Sequence, residues 1–259
     1  MGTLDRILAQ KRSELAALRK RTLPHAPSPR PVPLKRVAGG PLNFIAEIKR
    51  RSPSAGQLST ALSVGERAAA YERAGATMIS VLCDQSFFDG AFEHLAVARR
   101  TSELPLLCKD FVLDEVQLDC ALAFGADAVL LIVRCLDDTS LAHLFEAATA
   151  RQLLPLVEVA TDEEARRAVA VGATTIGVNA RDLDSLAMDP GRAALVLANL
   201  PNHITKLHLS GISSPADVAR ISSAAADAAL IGEVLMRQDD PEPLLRSLIT
   251  AAAPGAAPR

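Results

Sequence analysis

The feature that most constrains the fold of this 259-residue chain is a short apolar run that recurs eight times from Phe44 onward. Each run is rich in Leu, Ile and Val, and an Ala-rich stretch that is polar at its start separates it from the next. The runs are residues 44–49, 78–82, 104–110, 128–133, 154–159, 175–179, 206–211 and 228–232. This alternation predicts repeated βα units around a parallel sheet.

Eight such units favour a closed barrel over an open sheet. They occupy about 215 residues, which is the size of a (βα)8 TIM barrel. A doubly wound sheet usually has fewer strands and often has a Gly-rich nucleotide turn, but the sequence contains no GxGxxG motif. The sequence therefore predicts an α/β protein with a single (βα)8 TIM barrel over residues 41–250.

The chain before the first run predicts an added helical segment. Apolar residues stand there at helical spacing: Leu4, Ile7, Leu8, Leu15 and Leu18. A proline-rich stretch follows at residues 24–33. We expect an N-terminal helix and a linker over residues 1–40, and a flexible tail over residues 251–259.

Composition narrows the class of protein. A formal net charge of −2 argues against a broad nucleic-acid surface but allows a local basic pocket. The apolar stretches are too short for a membrane span, and the charged N-terminus lacks the features of a secretory signal, so we expect a cytoplasmic protein. The four cysteines have no metal-ligand spacing, and we expect neither disulfides nor zinc.

Polar residues close several of the predicted strands. Glu47 and Lys49 stand two residues apart in the first run, and Lys109, Glu158 and Asn179 stand last or last but one in the third, fifth and sixth. Active sites of TIM barrels lie at the C-terminal ends of the strands, so these side chains are candidates for one polar constellation. Alternatively, each is a strand-end residue that turns into solvent. Recurrence over four strands favours the constellation.

Two further segments are suited to a phosphate group. Ser210-Gly211 and Gly232 end the seventh and eighth runs, where TIM barrels commonly bind phosphate through backbone N–H groups and a helix N-terminus. The basic segment at residues 49–54 adds cations and hydroxyl groups beside the first run. The alternatives are that the glycines only form tight turns and that the basic segment is a solvated loop.

Several segments resemble the indole-3-glycerol phosphate synthase family. The long motif IAEIKRRSPSAG at residues 45–56 is similar to the family's first-strand signature. Further matches follow in the same order: ISVLCDQSFFDG (79–90), KDFVLDEVQ (109–117), GADAVLLI (125–132), LVEV (156–159), GVNARDL (177–183), SGI (210–212) and GEVLMR (232–237). The resemblance covers residues 4 to 250. It implies a TIM barrel whose N-terminal segment helps to cover the active site.

The resemblance also implies a reaction. The family closes the ring of 1-(2-carboxyphenylamino)-1-deoxyribulose 5-phosphate, with loss of carbon dioxide and water, in a decarboxylating step of tryptophan biosynthesis. By resemblance, Lys109 is the general acid that protonates the substrate carbonyl. Glu158 is the general base or proton shuttle of the dehydration, and Glu47 supports departure of the hydroxyl group and orients the lysine.

The resemblance assigns binding roles as well. Lys49 neutralises the substrate carboxylate or phosphate, Asn179 holds a substrate hydroxyl group, and Ser52, Arg181 and Ser210 are further binding positions. The apolar wall that packs against the anthranilate ring matches Phe88, Phe111, Leu130 and Leu183, which are otherwise ordinary core residues. The phosphate-binding set is Lys49, Ser52, Gly211 and Gly232. A phosphorylated small molecule is the expected partner, without a metal or an organic cofactor.

Some positions depart from the family's pattern. Leu209 stands where the family usually carries a glutamate, and Cys108 and Cys83 replace an expected Arg and Thr. Ala180 and Glu233 sit beside binding positions. These departures leave open a paralogue in specialised metabolism and a catalytically silent phosphate-binding barrel.

A third alternative is another sugar-phosphate barrel, similar to phosphoribosylanthranilate isomerase or to a lyase. The pair of Glu47 and Lys49 together with Lys109 argues against it. We expect a monomer or a weak homodimer.

Overall fold

The computed structural model describes residues 2–53 and 56–253, and within them eight parallel strands close into one barrel. The strands are β1 (Asn43–Ile48), β2 (Met78–Leu82), β3 (Leu106–Lys109), β4 (Ala128–Ile132), β5 (Leu154–Val159), β6 (Thr175–Asn179), β7 (Thr205–Leu209) and β8 (Ala228–Ile231). Each strand pairs with its neighbours in sequence, and β8 closes the barrel by pairing with β1. The predicted TIM barrel is confirmed.

Helices alternate with these strands and cover the barrel. They are α1 (Thr3–Leu18), α2 (Val64–Ala74), α3 (Gln85–Phe88), α4 (Phe92–Thr101), α5 (Glu115–Ala123), α6 (Asp138–Ala150), α7 (Asp162–Ala170), α8 (Pro190–Asn199), α9 (Pro215–Ser222), α10 (Glu233–Met236) and α11 (Glu242–Ala251). Capping side chains fix where several of them begin: Ser63 and Ser214 form capping boxes at the starts of α2 and α9. None of the described helices is long and apolar enough to cross a membrane.

Several predicted strands end earlier in the structure than in the sequence analysis. Lys49, Asp110 and Gly232 lie just beyond their strands, and Val133 begins a 3-10 turn. Ser210 and Gly211 have φ angles of 70° and 76°, a left-handed conformation that cannot continue a strand. The polar groups at these positions therefore lie on the loops at the C-terminal end of the barrel.

Two apolar layers hold the fold together. Inside the barrel, residues such as Ile45, Met78 and Leu107 point inward and are fully buried. On the outside, residues such as Phe44 and Ile79 pack against the helices. Side chains of successive strand residues alternate between these layers, as the period of a β-strand requires.

The segment before β1 reaches both ends of the barrel. Helix α1 lies against the C-terminal ends of the strands, where Leu4 and Ile7 join the inner cluster. Farther along, Arg30 and Lys35 bind carbonyl groups that flank the N-terminal ends of the strands, including those of Leu104 and Ile204. The division at residue 40 stays a prediction. Residues 254–259 of the predicted tail lie outside the described residues, as do residue 54 of the basic segment and the following residue 55.

Candidate active site

A pocket of about 110 Å³ opens at the C-terminal end of the barrel. It brings together most of the residues that the sequence analysis selected from scattered positions. Those that line it are Lys49, Ser52, Phe88, Lys109, Phe111, Leu130, Glu158, Asn179, Arg181, Leu183 and Ser210. Glu47, Gly211 and Gly232 lie outside this lining.

Glu47 lies beneath the pocket and binds two ammonium groups. Its side chain is 1% exposed, with Lys109 Nζ at 2.6 Å from Oε2 and Lys49 Nζ at 3.0 Å from Oε1. The hydroxyl group of Tyr71 donates to the Glu47 carbonyl oxygen at 3.0 Å and fixes the backbone. Burial by itself would raise the pKa of Glu47, but the two ammonium groups outweigh it and lower the pKa to about 2. Glu47 is therefore a permanent anion.

Lys109 keeps its proton in this environment. Burial would lower the pKa of its ammonium group, but the carboxylates of Glu47 and Glu158 outweigh burial and raise the pKa above its ordinary value. Lys109 thus enters the pocket as a charged proton donor, held in place by Glu47 from below.

At Glu158, in contrast to Glu47, burial has the larger effect on the pKa. Burial raises the pKa of this carboxyl group, and attraction to Lys109 together with a hydrogen bond from Asn179 only partly offsets the increase. Asn179 Nδ2 donates to Glu158 Oε1 at 3.0 Å. A carboxylate whose pKa is raised is a stronger base than an ordinary glutamate and is therefore suited to accepting a proton.

Asn179 is itself oriented by the loop that follows β6. The backbone N–H of Arg181 donates to Asn179 Oδ1 at 3.0 Å, so the amide NH₂ group is directed at Glu158. The Arg181 guanidinium donates to the Leu186 carbonyl oxygen at 3.2 Å and lies 4.0 Å from Glu233. This arrangement keeps a cation at the rim of the pocket.

One side of the pocket is apolar. The rings of Phe88 and Phe111 are 6.2 Å apart between centroids, and Leu130 and Leu183 also line the wall. The sequence analysis missed several further lining residues: Thr3, Leu4, Ile7, Pro53, Leu82, Asp110, Ile132 and Leu186. The first three belong to α1. The spacing of Leu4 and Ile7 predicted the helix, and the family resemblance implied that this segment helps to cover the active site, but neither indicated which of its side chains line the pocket.

The predicted phosphate residues separate into two groups. Lys49, Ser52 and Ser210 line the pocket. Gly232 instead makes room for Glu47, since a Cβ atom at this position would lie 2.3 Å from Glu47 Oε1. A Cβ atom at Gly211 would lie 2.3 Å from Met188 Cε. A phosphate role for the two glycine backbones stays a prediction.

Three departures from the family's pattern, at Leu209, Cys83 and Cys108, lie in the two apolar layers of the barrel. Leu209 is 1% exposed, belongs to the inner apolar cluster and pairs in register with Asn179. Cys83 and Cys108 lie in the outer layer with their sulfur atoms 3.5 Å apart.

Within residues 2–53 and 56–253, no cluster of three or more His, Cys, Asp or Glu side chains is arranged to hold a metal ion.

A family model and two relatives that match nearly the whole chain carry the same description. A family model described as indole-3-glycerol phosphate synthase matches residues 4–248. The indole-3-glycerol phosphate synthase of Kineococcus radiotolerans is 40% identical over 265 residues, covering 98% of this chain and 97% of the relative. That of Mycobacterium leprae is 37% identical over 263 residues, covering 99% and 97%.

Solved structures share the fold at much lower identity. The 3-hexulose-6-phosphate synthase of Salmonella typhimurium has a TM-score of 0.65 at 14% identity, covering 82% of this chain and 98% of that one. The thiamine phosphate pyrophosphorylase of Pyrococcus furiosus has a TM-score of 0.61 at 17% identity, covering 82% and 95%. At this identity the likeness concerns the barrel alone.

Proposed function

Because this chain belongs to the indole-3-glycerol phosphate synthase family, we propose that it converts 1-(2-carboxyphenylamino)-1-deoxyribulose 5-phosphate into indole-3-glycerol phosphate, carbon dioxide and water. The enzyme is a carbon–carbon carboxy-lyase of tryptophan biosynthesis. The observation that carries the proposal is the placement of a charged Lys109, bound to a buried Glu47, in one pocket with Glu158 and an aromatic wall.

In the first half of the reaction, the ring carbon that bears the carboxylate attacks the ketone carbon of the sugar chain. The ketone oxygen becomes a hydroxyl group by taking the proton of Lys109, whose charged form is stabilised by Glu47. Breaking the bond to carbon dioxide returns its electron pair to the ring. Phe88 and Phe111 hold the aromatic ring near the ketone, which lowers the entropic cost of the attack.

In the second half, the new hydroxyl group leaves as water and the indole double bond forms. Departure of the hydroxyl group needs a proton, which Lys109 supplies after it is recharged from solvent. Glu158 accepts the proton that the five-membered ring loses, and its raised pKa makes it an effective base. Asn179 keeps the Glu158 carboxylate oriented during this transfer.

The charged ends of the substrate are bound at the rim. Lys49 and Arg181 face the pocket and are the cations for the substrate carboxylate and phosphate, with hydroxyl groups from Ser52 and Ser210 beside them. Preorganised charges of this kind stabilise the transition state without costly rearrangement.

A catalytically silent barrel, another sugar-phosphate enzyme and a specialised paralogue are not favoured. A cytoplasmic location and a monomeric or weakly dimeric state stay predictions.

The direct test is to add the carboxyphenylamino-deoxyribulose phosphate to the purified protein and to follow indole fluorescence. Lys109→Ala is the control for contaminating host enzyme. A strong wild-type signal that disappears in Lys109→Ala supports the proposal. Substrate binding without product in the wild type would indicate a silent barrel, and the absence of both would point to another sugar phosphate.

A further inference from the structure

Helix α1 carries a buried lysine that the proposed mechanism does not use. Lys11 is 2% exposed, although lysine is almost never fully buried unless it is paired. Its Nζ lies 2.9 Å from Asp110, 3.0 Å from Asp84 and 3.0 Å from Glu14. We refer to these four residues as the Lys11 cluster.

Each of the two buried carboxylates of the Lys11 cluster supports one phenylalanine of the pocket wall. Asp84 accepts from the backbone N–H of Phe87 at 2.7 Å, which caps the short helix α3 that ends in Phe88. Asp110 accepts from the backbone N–H of Phe111 at 2.9 Å. One ammonium group therefore binds both carboxylates that fix the loops carrying the aromatic wall.

The same ammonium group fixes α1 over the pocket. Leu4 and Ile7 line the pocket from this helix, and they lie seven and four residues before Lys11, on the same helical face. Glu14, one turn further, accepts from the Ser86 hydroxyl group in α3 at 3.2 Å. The Lys11 cluster thus connects α1 with the loops after β2 and β3.

We propose that Lys11 is a positioning residue of the active site, which sets the affinity for the aromatic half of the substrate by holding the loops of Phe88 and Phe111 beneath α1. The inference rests on the proposed function, because it is that substrate which carries a carboxyphenyl ring. Lys11 acts through the residues that it binds.

Electrostatics support a permanently charged Lys11. Burial would lower the pKa of its ammonium group, but Asp110 and Asp84 outweigh burial and raise the pKa above the ordinary lysine value. Without Lys11, both carboxylates would be buried beside each other with no counter-charge, an arrangement that proteins avoid. The two loops would then move apart, or the carboxylates would take up protons.

The test compares two ligands. One is the deoxyribitol analogue of the substrate, in which the ketone is reduced to an alcohol. The other is 1-deoxyribitol 5-phosphate, which lacks the carboxyphenylamino group. Their affinities are measured by calorimetry for the wild type, Lys11→Met and Arg12→Met. Arg12 is an exposed cation on the same helix, so Arg12→Met is the matched control for charge and helix position.

We expect Lys11→Met to weaken binding of the aromatic analogue about tenfold or more, since small displacements of a positioning group are costly. Binding of 1-deoxyribitol 5-phosphate should change less than about twofold, and Arg12→Met should affect neither ligand. Equal loss of both ligands, or no loss in Lys11→Met, would overturn the inference and leave the proposed function intact. A wild type that binds neither ligand would overturn both.

A second variant keeps the test informative if Lys11→Met does not fold. Lys11→Met/Asp84→Asn removes one of the two unpaired carboxylates and keeps a side chain that can cap α3. Compared with Asp84→Asn alone, the double variant should bind the aromatic analogue more weakly but bind the ring-free phosphate equally well. Equal binding of the analogue by the two variants would contradict the positioning role.

Discussion

At the scale of single residues, the site depends on the negative charge of Glu47. Glu47→Gln keeps the shape but removes the charge that holds the ammonium groups of Lys109 and Lys49. We expect kcat to fall about 100-fold, within the usual contribution of a positioned proton donor. Steady-state kinetics would check this, with the exposed Glu146→Gln as the control. A kcat near the wild-type value would remove Glu47 from the mechanism.

The pKa shifts of two residues predict the pH profile. Glu158 acts as a base, so activity is lost as the pH falls through its pKa, which burial raises above 4.5. Lys109 acts as an acid, and its pKa is raised above 10.5, so activity is lost only in strongly alkaline solution. We therefore expect kcat/KM to have an acid limb above pH 4.5 and a broad plateau. An acid limb that persists unchanged in Glu158→Gln would contradict this assignment.

One departure from the family's pattern, Leu209, leads to a prediction about the pH profile. The residue pairs in register with Asn179, whose side-chain amide donates to the Glu158 carboxyl group. A carboxylate in Leu209→Glu would disfavour ionisation of Glu158, so the acid limb of kcat/KM should move to higher pH. Leu209→Met conserves volume and serves as the control. Identical profiles for wild type and Leu209→Glu would show that the substitution has no functional meaning.

At the scale of elements, the turn from β8 to α10 is fitted to Glu47. A methyl group in Gly232→Ala would lie 2.3 Å from Glu47 Oε1, so it must displace the carboxylate from the two lysines. We expect a loss of kcat approaching that of Glu47→Gln. In Gly191→Ala the new methyl group meets an ordinary contact at 3.5 Å, and kinetics should not change. Equal kinetics for the two alanine variants would rule out this explanation of Gly232.

The elements themselves were largely predictable from sequence, but their ends were not. Apolar runs located all eight strands, since burial on both faces selects Val, Ile and Leu. Their C-terminal limits depend on backbone angles such as those of Ser210, which composition does not encode.

The candidate site was predictable to a similar degree. The strand-end polar residues Glu47, Lys109 and Glu158 were found because barrel geometry brings strand ends together. Lys11 was missed because a lysine in an amphipathic helix resembles a solvated charge until its partners are known.

At the scale of the whole molecule, the segment before β1 is bound at both ends of the barrel. Two aspartates of the opposite face, Asp127 and Asp227, each stand just before a strand. Asp127 accepts from the backbone N–H of Leu106 at 2.7 Å, and Asp227 accepts from that of Lys206 at 2.8 Å. Each also accepts a backbone N–H of the N-terminal segment, from Arg30 and Arg36 respectively. The N-terminal segment is thus bound twice in the same manner.

Because Asp227 lies on the face opposite the pocket, a substitution of this residue should lower stability without changing activity. Asp227→Ala removes the acceptor of two backbone N–H groups and the partner of Lys35, far from the pocket. We expect the free energy of unfolding to fall by about 2–3 kcal/mol, since buried donors are left unsatisfied. The kcat/KM value should not change, because this face of a barrel serves stability.

Denaturant titration together with steady-state kinetics would measure both effects. Val37→Ala, at a side chain that is 78% exposed in the same segment, is the control. If Asp227→Ala lowered kcat/KM at temperatures where it stays folded, the two faces of the barrel would have to be coupled through the N-terminal segment, because this segment is bound at both ends.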